Sequence, residues 1–460
     1  MTTLDSDTLN RTLKIEMDEG RASSFEEADA LTRTYRLQIS LGTGIAMDLT
    51  QQAMVLTVVN AAARAFPGGV FVRTDADPVL ATPWARGQHL SNALRSLGAT
   101  PVGELDGSTP TIVIGDAPPP SGSIVIYPTW RGWSGGIVES PAERLEDPPG
   151  FPLAGVLAGG LAVSEAFQLV RGNPESGRRC VGLSLWRPDL DWRGQEAIGP
   201  ECLYLPANWW LLGLGHLGQA YAWAIGSLPF SDPALVQIVL QDTDTVVPAN
   251  ESTGMLVLPG HSGEKKTRMV AGRLEALGLT TAIVERRFDG ATRRRPEEPS
   301  LALVGFDDPN PRRALELAGF ERVVDVGLGS GPKQYLDILL HSLPSSIKAV
   351  EVWPEASAKR THGLLGLPAY QTLIEDTVES EHVTTGAARC GLAELAGRTV
   401  GAAFVGVVAG TLAVAEPLRL LNGGRSFESI SLSLRSMSHL QVVANRIAPS
   451  PLAGFVRASA

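Results

Sequence analysis

Short apolar runs alternate with longer stretches of helical periodicity along most of the chain. Runs of four or five residues, bounded by turn-forming residues, predict strands at residues 70–73, 111–114, 236–240 and 301–304. Helical stretches separate these strands, and such alternation is typical of parallel strands joined by crossover helices. The pattern therefore predicts an α/β fold.

Two parts of the chain repeat each other. Residues 155–172 read GVLAGGLAVSEAFQLVRG and residues 406–423 read GVVAGTLAVAEPLRLLNG, identical at ten of eighteen positions. Paired motifs precede them in the same order: SLGTGIA before LLGLGHL, and DAD before DTD. A chance likeness between two helices rich in small residues does not account for this ordered series. We predict an internal duplication, with two fused Rossmann-like halves that form an intramolecular pseudo-dimer.

The predicted halves are residues 35–172 and residues 205–424. The total of 460 residues agrees with two halves, because one hydrophobic core serves roughly 250–300 residues. We expect residues 1–34 to form a polar tail or surface helix. Residues 173–204, rich in proline, glycine and charge, are predicted as a linker, and residues 425–460 as a C-terminal extension.

Composition narrows the class of partner. The chain has 39 Lys and Arg against 49 Asp and Glu, a net charge of −10, which argues against nucleic acid as a partner. Cys180, Cys202 and Cys390 are scattered and form no CxxC motif, so we expect a reducing cytoplasm. The longest run of small and apolar residues, 401–415, is shorter than the ~20 that span a bilayer, so we expect no membrane span.

A glycine motif in the second half predicts a nucleotide site. Gly213, Gly215 and Gly218 follow an apolar run and open a helix, where glycines allow a tight turn and the helix amides attract phosphate. Asp242 ends the next predicted strand, where a carboxylate can bind ribose hydroxyls. ATP and NAD both fit this geometry, so the motif alone leaves the nucleotide open.

The residues that follow resemble the ThiF/MoeB/HesA-type adenylyltransferases, the family of the ubiquitin-activating enzymes. Asn250 and Lys266 lie eight and twenty-four residues after Asp242, and LALVGFDDPNPRRAL gives Asp307 followed five residues later by Arg312. The first half carries the resemblance only in degenerate form, with Met47 at the third glycine position. We therefore expect an intact nucleotide site in the second half alone.

The resemblance implies ATP and Mg²⁺ as cofactors and adenylation of the C-terminal carboxylate of a ubiquitin-like protein or peptide. It implies nucleotide contacts from Gly213, Gly215, Gly218, Asp242, Asn250 and Lys266. Asp307 would hold magnesium. The arginine that the family has three residues after Asn250 is Thr253 here. Thr253 lies eleven residues after Asp242 of the Asp-x-Asp motif, and in the first half Arg86 lies eleven residues after Asp75. We predict that the first half donates Arg86 to the triphosphate. The family also forms homodimers.

The resemblance leaves later chemistry open. Several members carry a cysteine near the position of Cys390 that receives the activated carboxyl as a thioester, and Arg389 beside it would lower a thiol pKa. A buried structural cysteine is the alternative. Two other functions compete with adenylation: an NAD(P)-dependent oxidoreductase that uses the same glycine turn, and a non-catalytic scaffold that keeps the fold.

Overall fold

The computed structural model describes residues 7–145, 150–329, 334–354, 364–381, 400–447, 452 and 454–459. Within these ranges the chain forms a seven-stranded sheet, an eight-stranded sheet and a two-stranded ribbon. Helices pack on both large sheets, as expected for an α/β protein.

The first sheet follows the order β3-β2-β1-β4-β5-β6-β7. Its strands are β1 Leu37–Leu41, β2 Val70–Thr74, β3 Ala99–Pro101, β4 Thr111–Ile114, β5 Val125–Arg131, β6 Ser134–Val138 and β7 Val181–Ser184. The five strands from β3 to β5 are parallel, and β6 and β7 continue the sheet in antiparallel pairs. The chain reverses its order at β1, between β2 and β4.

The second sheet repeats this plan, in the order β11-β10-β9-β12-β13-β14-β15-β16. Its strands are β9 Asn208–Leu212, β10 Gln237–Gln241, β11 Thr280–Val284, β12 Leu301–Val304, β13 Arg322–Leu328, β14 Asp337–Leu343, β15 Phe427–Ser433 and β16 Ser436–Ala444. Five parallel strands are again followed by antiparallel ones. The ribbon pairs β8 Tyr204–Pro206 with β17 Phe455–Arg457.

Some of the helices in the described residues occupy matching places in the two halves. The helices are α1 Arg11–Asp18, α2 Phe25–Thr32, α3 Leu49–Ala65, α4 Leu90–Ser96, α5 Pro152–Val170, α6 His216–Gly226, α7 Lys266–Glu275, α8 Pro309–Arg312, α9 Ala349–Val352, α10 Pro368–Glu381 and α11 Ala403–Leu421. The helix after the first strand is α3 in one half and α6 in the other. The two repeated segments of the sequence form α5 and α11, each before the seventh strand of its sheet.

Both halves contribute to one continuous core, in which α3 and α5 pack against α6 and α11. Gly160 brings α5 and α11 close together, since a Cβ atom there would lie 2.9 Å from a methyl group of Val407. Across the same interface the indole of Trp223 donates a 3.0 Å hydrogen bond to Oγ1 of Thr57. The predicted fold of two Rossmann-like halves in one pseudo-dimer is confirmed.

Two helices are long and apolar enough to cross a membrane by length and composition. These are α5 and α11, and 89% of each apolar window is buried inside the protein. Their apolar surfaces are used in the shared core, which explains why they are apolar around the whole helix.

Parts of the chain outside the predicted halves also belong to the folded body. Residues 181–184 of the predicted linker form β7, an apolar strand that the flanking charges obscure in the sequence. Residues of the predicted C-terminal extension form β15, β16 and β17. The expected polar tail forms α1 and α2. The charges of α1 are buried in ion pairs: Lys14 with Asp18 at 2.5 Å, and Glu16 with Arg171 at 2.7 Å.

Candidate functional site

A cleft opens at the carboxyl ends of β9, β10, β12 and β13, where the strand order of the second sheet reverses. Ligands of open α/β sheets bind at such a point. The large cleft has a volume of about 690 Å³, and an adjoining chamber has about 280 Å³. Both are lined by Gly215, Thr243, Asp244, Lys266, Phe306 and Asp307.

The glycine motif forms the turn between β9 and α6 at the wall of this cleft. Gly213 has a φ of +83°, a conformation that residues with a Cβ rarely adopt. A Cβ on Gly218 would overlap the carbonyl oxygen of Gly213, so this position also requires glycine. Gly215 caps α6 and faces open space. The amino terminus of α6, the positive end of its dipole, therefore borders the cleft.

Asp242 supports the glycine turn from the end of β10. Its Oδ2 accepts a 2.6 Å hydrogen bond from the amide of Leu214, and its Oδ1 accepts a 2.8 Å bond from the amide of Asp244. The carboxylate lines the adjoining chamber together with Arg286 and Arg287. The structure therefore places Asp242, the residue predicted to bind ribose, at the glycine turn. It also places Arg286 and Arg287 in the same chamber.

Lys266 and Asn250 also line the large cleft. Lys266 begins α7, and its Nζ donates a 3.0 Å hydrogen bond to Oδ2 of Asp244 while its side chain remains 11% exposed. Asn250 accepts a 3.0 Å hydrogen bond from the amide of Val247, which fixes its amide group at the cleft. Thr253, at the position of the missing arginine, lines the same cleft.

Asp307 and Asp308 follow β12 and have different surroundings. Asp308 caps α8, because its carboxylate accepts a 2.9 Å hydrogen bond from the amide of Asn310. Asp307 is exposed and lines both the cleft and the chamber. Arg312, at the end of α8, lines the large cleft and forms a 2.9 Å ion pair with Asp325. Of the two carboxylates, that of Asp307 is the more exposed, and Asp308 lines the chamber but not the large cleft.

His216 forms part of the cleft but packs mainly against α11. A Cβ on Gly401 or Gly406 would collide with its imidazole, so these glycines make room for the ring. Burial lowers the pKa of His216 to about 4, against the opposing effect of the Asp307 charge. The imidazole is therefore neutral near pH 7, which agrees with a packing role rather than with acid or base catalysis.

Arg86 does not reach the cleft, contrary to the prediction. It lines a small cavity with Gly226, Phe230 and Leu277, at the carboxyl ends of α6 and α7. The eleven residues of α6 separate this cavity from the glycine turn by about 16 Å. Trp84 holds the loop in place by stacking on Trp223 at 4.7 Å. Counting residues from the Asp-x-Asp motif did not indicate the direction in which this loop runs.

Arg11 is a cleft residue that the sequence analysis did not identify. It begins α1 and lines the large cleft, next to the wall that contains Thr253. The amide of Arg11 donates a 3.0 Å hydrogen bond to Oγ of Ser252. The other end of α1 is held by the ion pair between Glu16 and Arg171. The cap residue Asn10 predicts a helix start, but no local pattern indicates where the helix docks.

The corresponding edge of the first sheet differs from this site. The guanidinium of Arg144 donates hydrogen bonds of 2.6 and 2.7 Å to the carbonyls of Gly115 and Val113 at the end of β4. Met47, at the third glycine position, is 91% exposed. The first half thus keeps Gly42 and Gly44 but lacks the third glycine of the turn.

The candidate residues for metal binding and for thiol chemistry are Asp307 and Cys390. Among the described residues no three His, Cys, Asp or Glu side chains are grouped as metal ligands. A single carboxylate such as Asp307 nevertheless fits Mg²⁺, which proteins commonly bind through one or two carboxylates and the substrate phosphates. Cys390 lies outside the described residues.

Sequence comparisons identify relatives over nearly the whole chain. Models of the BilD N-terminal domain and the BilD C-terminal domain match residues 36–185 and 205–424. The bacterial E1-like protein BilD of Collimonas sp. (strain OK412) is 38% identical over 459 residues, covering 99% of this chain and 97% of the relative.

Solved structures provide more distant matches. Escherichia coli MccB is 12% identical with a TM-score of 0.34, and the match covers 71% of this chain and 93% of MccB. The E. coli tRNA N6-threonylcarbamoyladenosine dehydratase TcdA is 15% identical with a TM-score of 0.28, covering 47% of this chain and 85% of TcdA. The relative and the two domain models carry the assignment: the chain belongs to the BilD family of bacterial E1-like proteins.

Proposed function

We propose that this chain is an ATP-dependent adenylyltransferase that activates the C-terminal carboxylate of a ubiquitin-like protein or peptide. The observation that carries the proposal is the convergence of Arg11, Lys266 and Arg312 on one cleft beside the glycine turn. The E1-like name of the 38% identical relative supports it. The assignment of the chain to the ThiF/MoeB/HesA-type enzymes rests on the sequence resemblance and is part of this proposal.

The cleft and the chamber suit the two parts of ATP. The adjoining chamber, with Asp242 at its edge, would take the adenosine, because a carboxylate next to a glycine turn can accept hydrogen bonds from ribose hydroxyls. The large cleft would take the triphosphate and the incoming carboxylate. Asn250 and Lys266 are the predicted phosphate contacts on its wall.

The reaction needs the positive charge that the cleft provides. A carboxylate oxygen of the substrate would form a bond to the α-phosphorus, the bond from that phosphorus to the bridging oxygen would break, and pyrophosphate would leave. Both reactants are anions, so cations and amides must neutralise the charge that develops between them. Lys266, Arg11, Arg312 and the amino terminus of α6 would do so.

Magnesium fits this arrangement through Asp307. Its exposed carboxylate borders both the chamber and the cleft, so it lies between the sites proposed for adenosine and triphosphate. When bound, Mg²⁺ would neutralise phosphate charge and act as a Lewis acid. Asp308 is not an equivalent ligand, because its carboxylate caps α8.

The residues that follow the glycine turn favour ATP over a nicotinamide dinucleotide. Asn250, Lys266 and Asp307 have the spacing of the adenylyltransferase family, and all three line the large cleft. This resemblance favours adenylation over the oxidoreductase alternative. A non-catalytic scaffold would have the fold without the reaction, so catalysis itself must be measured.

We predict that the chain exchanges labelled pyrophosphate into ATP when its carboxylate partner is present. The natural probe is any small protein ending in glycine that the neighbouring genes are found to encode. Asp307→Asn should abolish the exchange while leaving the melting temperature unchanged, because the side chain is exposed and removes only a charge. Absence of exchange in the wild type, with NAD bound in place of ATP, would contradict the proposal.

We predict that Arg11→Ala slows the exchange by about 10²–10³, the usual effect of removing one group that stabilises transition-state charge. Arg86→Ala is the matched control, since it removes the same side chain from a cavity at the far end of α6. Its exchange rate should equal that of the wild type. A slow Arg86→Ala combined with a normal Arg11→Ala would reverse the assignment.

We further propose that Cys390 receives the activated carboxyl as a thioester, as the sequence resemblance implies. The thiolate would attack the carbonyl carbon of the acyl adenylate, and AMP would leave. We predict a covalent adduct with the partner that thiol reductants cleave and that Cys390→Ala lacks. Exchange of pyrophosphate should persist in this variant, and an adduct that also persists there would contradict the assignment.

A further inference from the structure

A buried carboxylate lies behind the wall of the large cleft. Asp325, within β13, is 1% exposed, and its Oδ1 lies 2.9 Å from Nε of Arg312. In the part of the chain that the structure describes, neither carboxylate oxygen accepts a hydrogen bond of good geometry, so the contact with Arg312 is an ion pair. Burial raises the pKa of Asp325 to about 6, against the opposing effect of Arg312. The pair is therefore charged near pH 7.

Two other ionisable side chains near Asp325, His341 and Tyr221, do not compensate its negative charge. His341 lies opposite it on β14, and burial lowers the pKa of this imidazole, so His341 is neutral. Tyr221 on α6 directs its hydroxyl to the carbonyl of Val304, with a distance of 2.7 Å. Arg312 is thus the cation that compensates Asp325 among the described residues. A buried charge without a partner is costly, so each member of the pair restricts the position of the other.

Arg312 transmits this restriction to the cleft. Its Nη2 donates a 2.7 Å hydrogen bond to the carbonyl of Phe306 and a longer one, 3.3 Å, to the carbonyl of Val326. The guanidinium lies against Gly327, where a Cβ would be 3.5 Å from Nη1. Because Phe306 directly precedes Asp307, Arg312 closes the loop of residues 306–312 that presents Asp307.

We propose that Asp325 is a positioning residue for adenylation: its carboxylate fixes the guanidinium of Arg312, and Arg312 fixes the loop that carries Asp307. The inference rests on the proposed function and assigns to it a residue outside the cleft. Asp325 touches neither ATP nor the acid. It acts through the orientation of one cation and one carboxylate that do face the cleft.

The test uses Asp325→Asn, which keeps the shape of the side chain and removes its charge. We predict that kcat for pyrophosphate exchange falls roughly 10–100-fold, the usual effect of removing a residue that orients a functional group. The value of kcat/KM for ATP should fall by the same factor, because the lost interaction acts in the transition state. The melting temperature should also fall, since Arg312 keeps its charge without a partner.

A second buried pair provides the matched control. Glu416 on α11 is fully buried and paired with Arg419, and neither residue lines the cleft or the chamber. Glu416→Gln removes a carboxylate of the same kind. We expect a lower melting temperature with kcat unchanged, so a general effect of losing a buried ion pair is measured separately.

The double variant Asp325→Asn with Arg312→Gln separates positioning from stability. Removing both charges should return the melting temperature toward the wild-type value, whereas the exchange should stay slow. This variant carries the test if Asp325→Asn alone does not fold. Recovery of both properties, or a wild-type kcat in Asp325→Asn, would overturn the inference alone. A wild type that neither binds ATP nor exchanges pyrophosphate would overturn the proposed function and this inference with it.

Discussion

The packing of the two halves against each other determines the rest of the structure. Helices α3, α5, α6 and α11 form one core, and small residues let them approach closely. Gly410 of α11 is an example, since a Cβ there would lie 2.8 Å from the backbone of Ala220 on α6. Such close contact transmits small displacements rather than absorbing them. The glycine turn at the start of α6 is therefore fixed relative to the first half as well as to its own sheet.

This shared core explains why a half without a nucleotide cleft is retained. Arg64 of α3 is buried and donates hydrogen bonds of 2.7 and 2.8 Å to the carbonyls of Gly254 and Val257, so the first half holds the loop that follows Thr253. Arg171, at the end of α5, holds α1 through Glu16. Breaking a buried ion pair of this kind typically costs about 3–5 kcal/mol. The first half thus contributes to the site by holding α1 and the loop after Thr253, which border the cleft of the second half.

The sequence predicted those parts of the site that a local motif marks. The glycine turn, Asp242, Lys266 and Asp307 each follow a strand or begin a helix, and parallel strands bring such positions to one edge of a sheet. Arg11 and Asp325 were not predicted, because their roles depend on contacts with distant elements. The error over Arg86 has the same origin. A count along the chain does not show which side of the sheet a loop follows.

The duplication was visible in the sequence because close packing restricts the residue types of the two repeated segments most strongly. Residues 155–172 and 406–423 stay alike since α5 and α11 meet each other in the core, where small residues are required on both sides. The strands β7 and β15 follow these helices but were not predicted, because β7 has only four residues and β15 lies beyond the repeat. β7 is also the edge strand of its sheet, so it has fewer packing partners and its sequence pattern is weaker.

The central claim is that the chain holds one ATP, in the second half, and that the first half only supports it. The most direct measurement is a calorimetric titration of the chain with Mg²⁺ and an ATP analogue that has a methylene group between the α- and β-phosphorus. The account predicts one analogue bound per chain and no competition by NAD. Two analogues bound per chain, or displacement of the analogue by NAD, would contradict it.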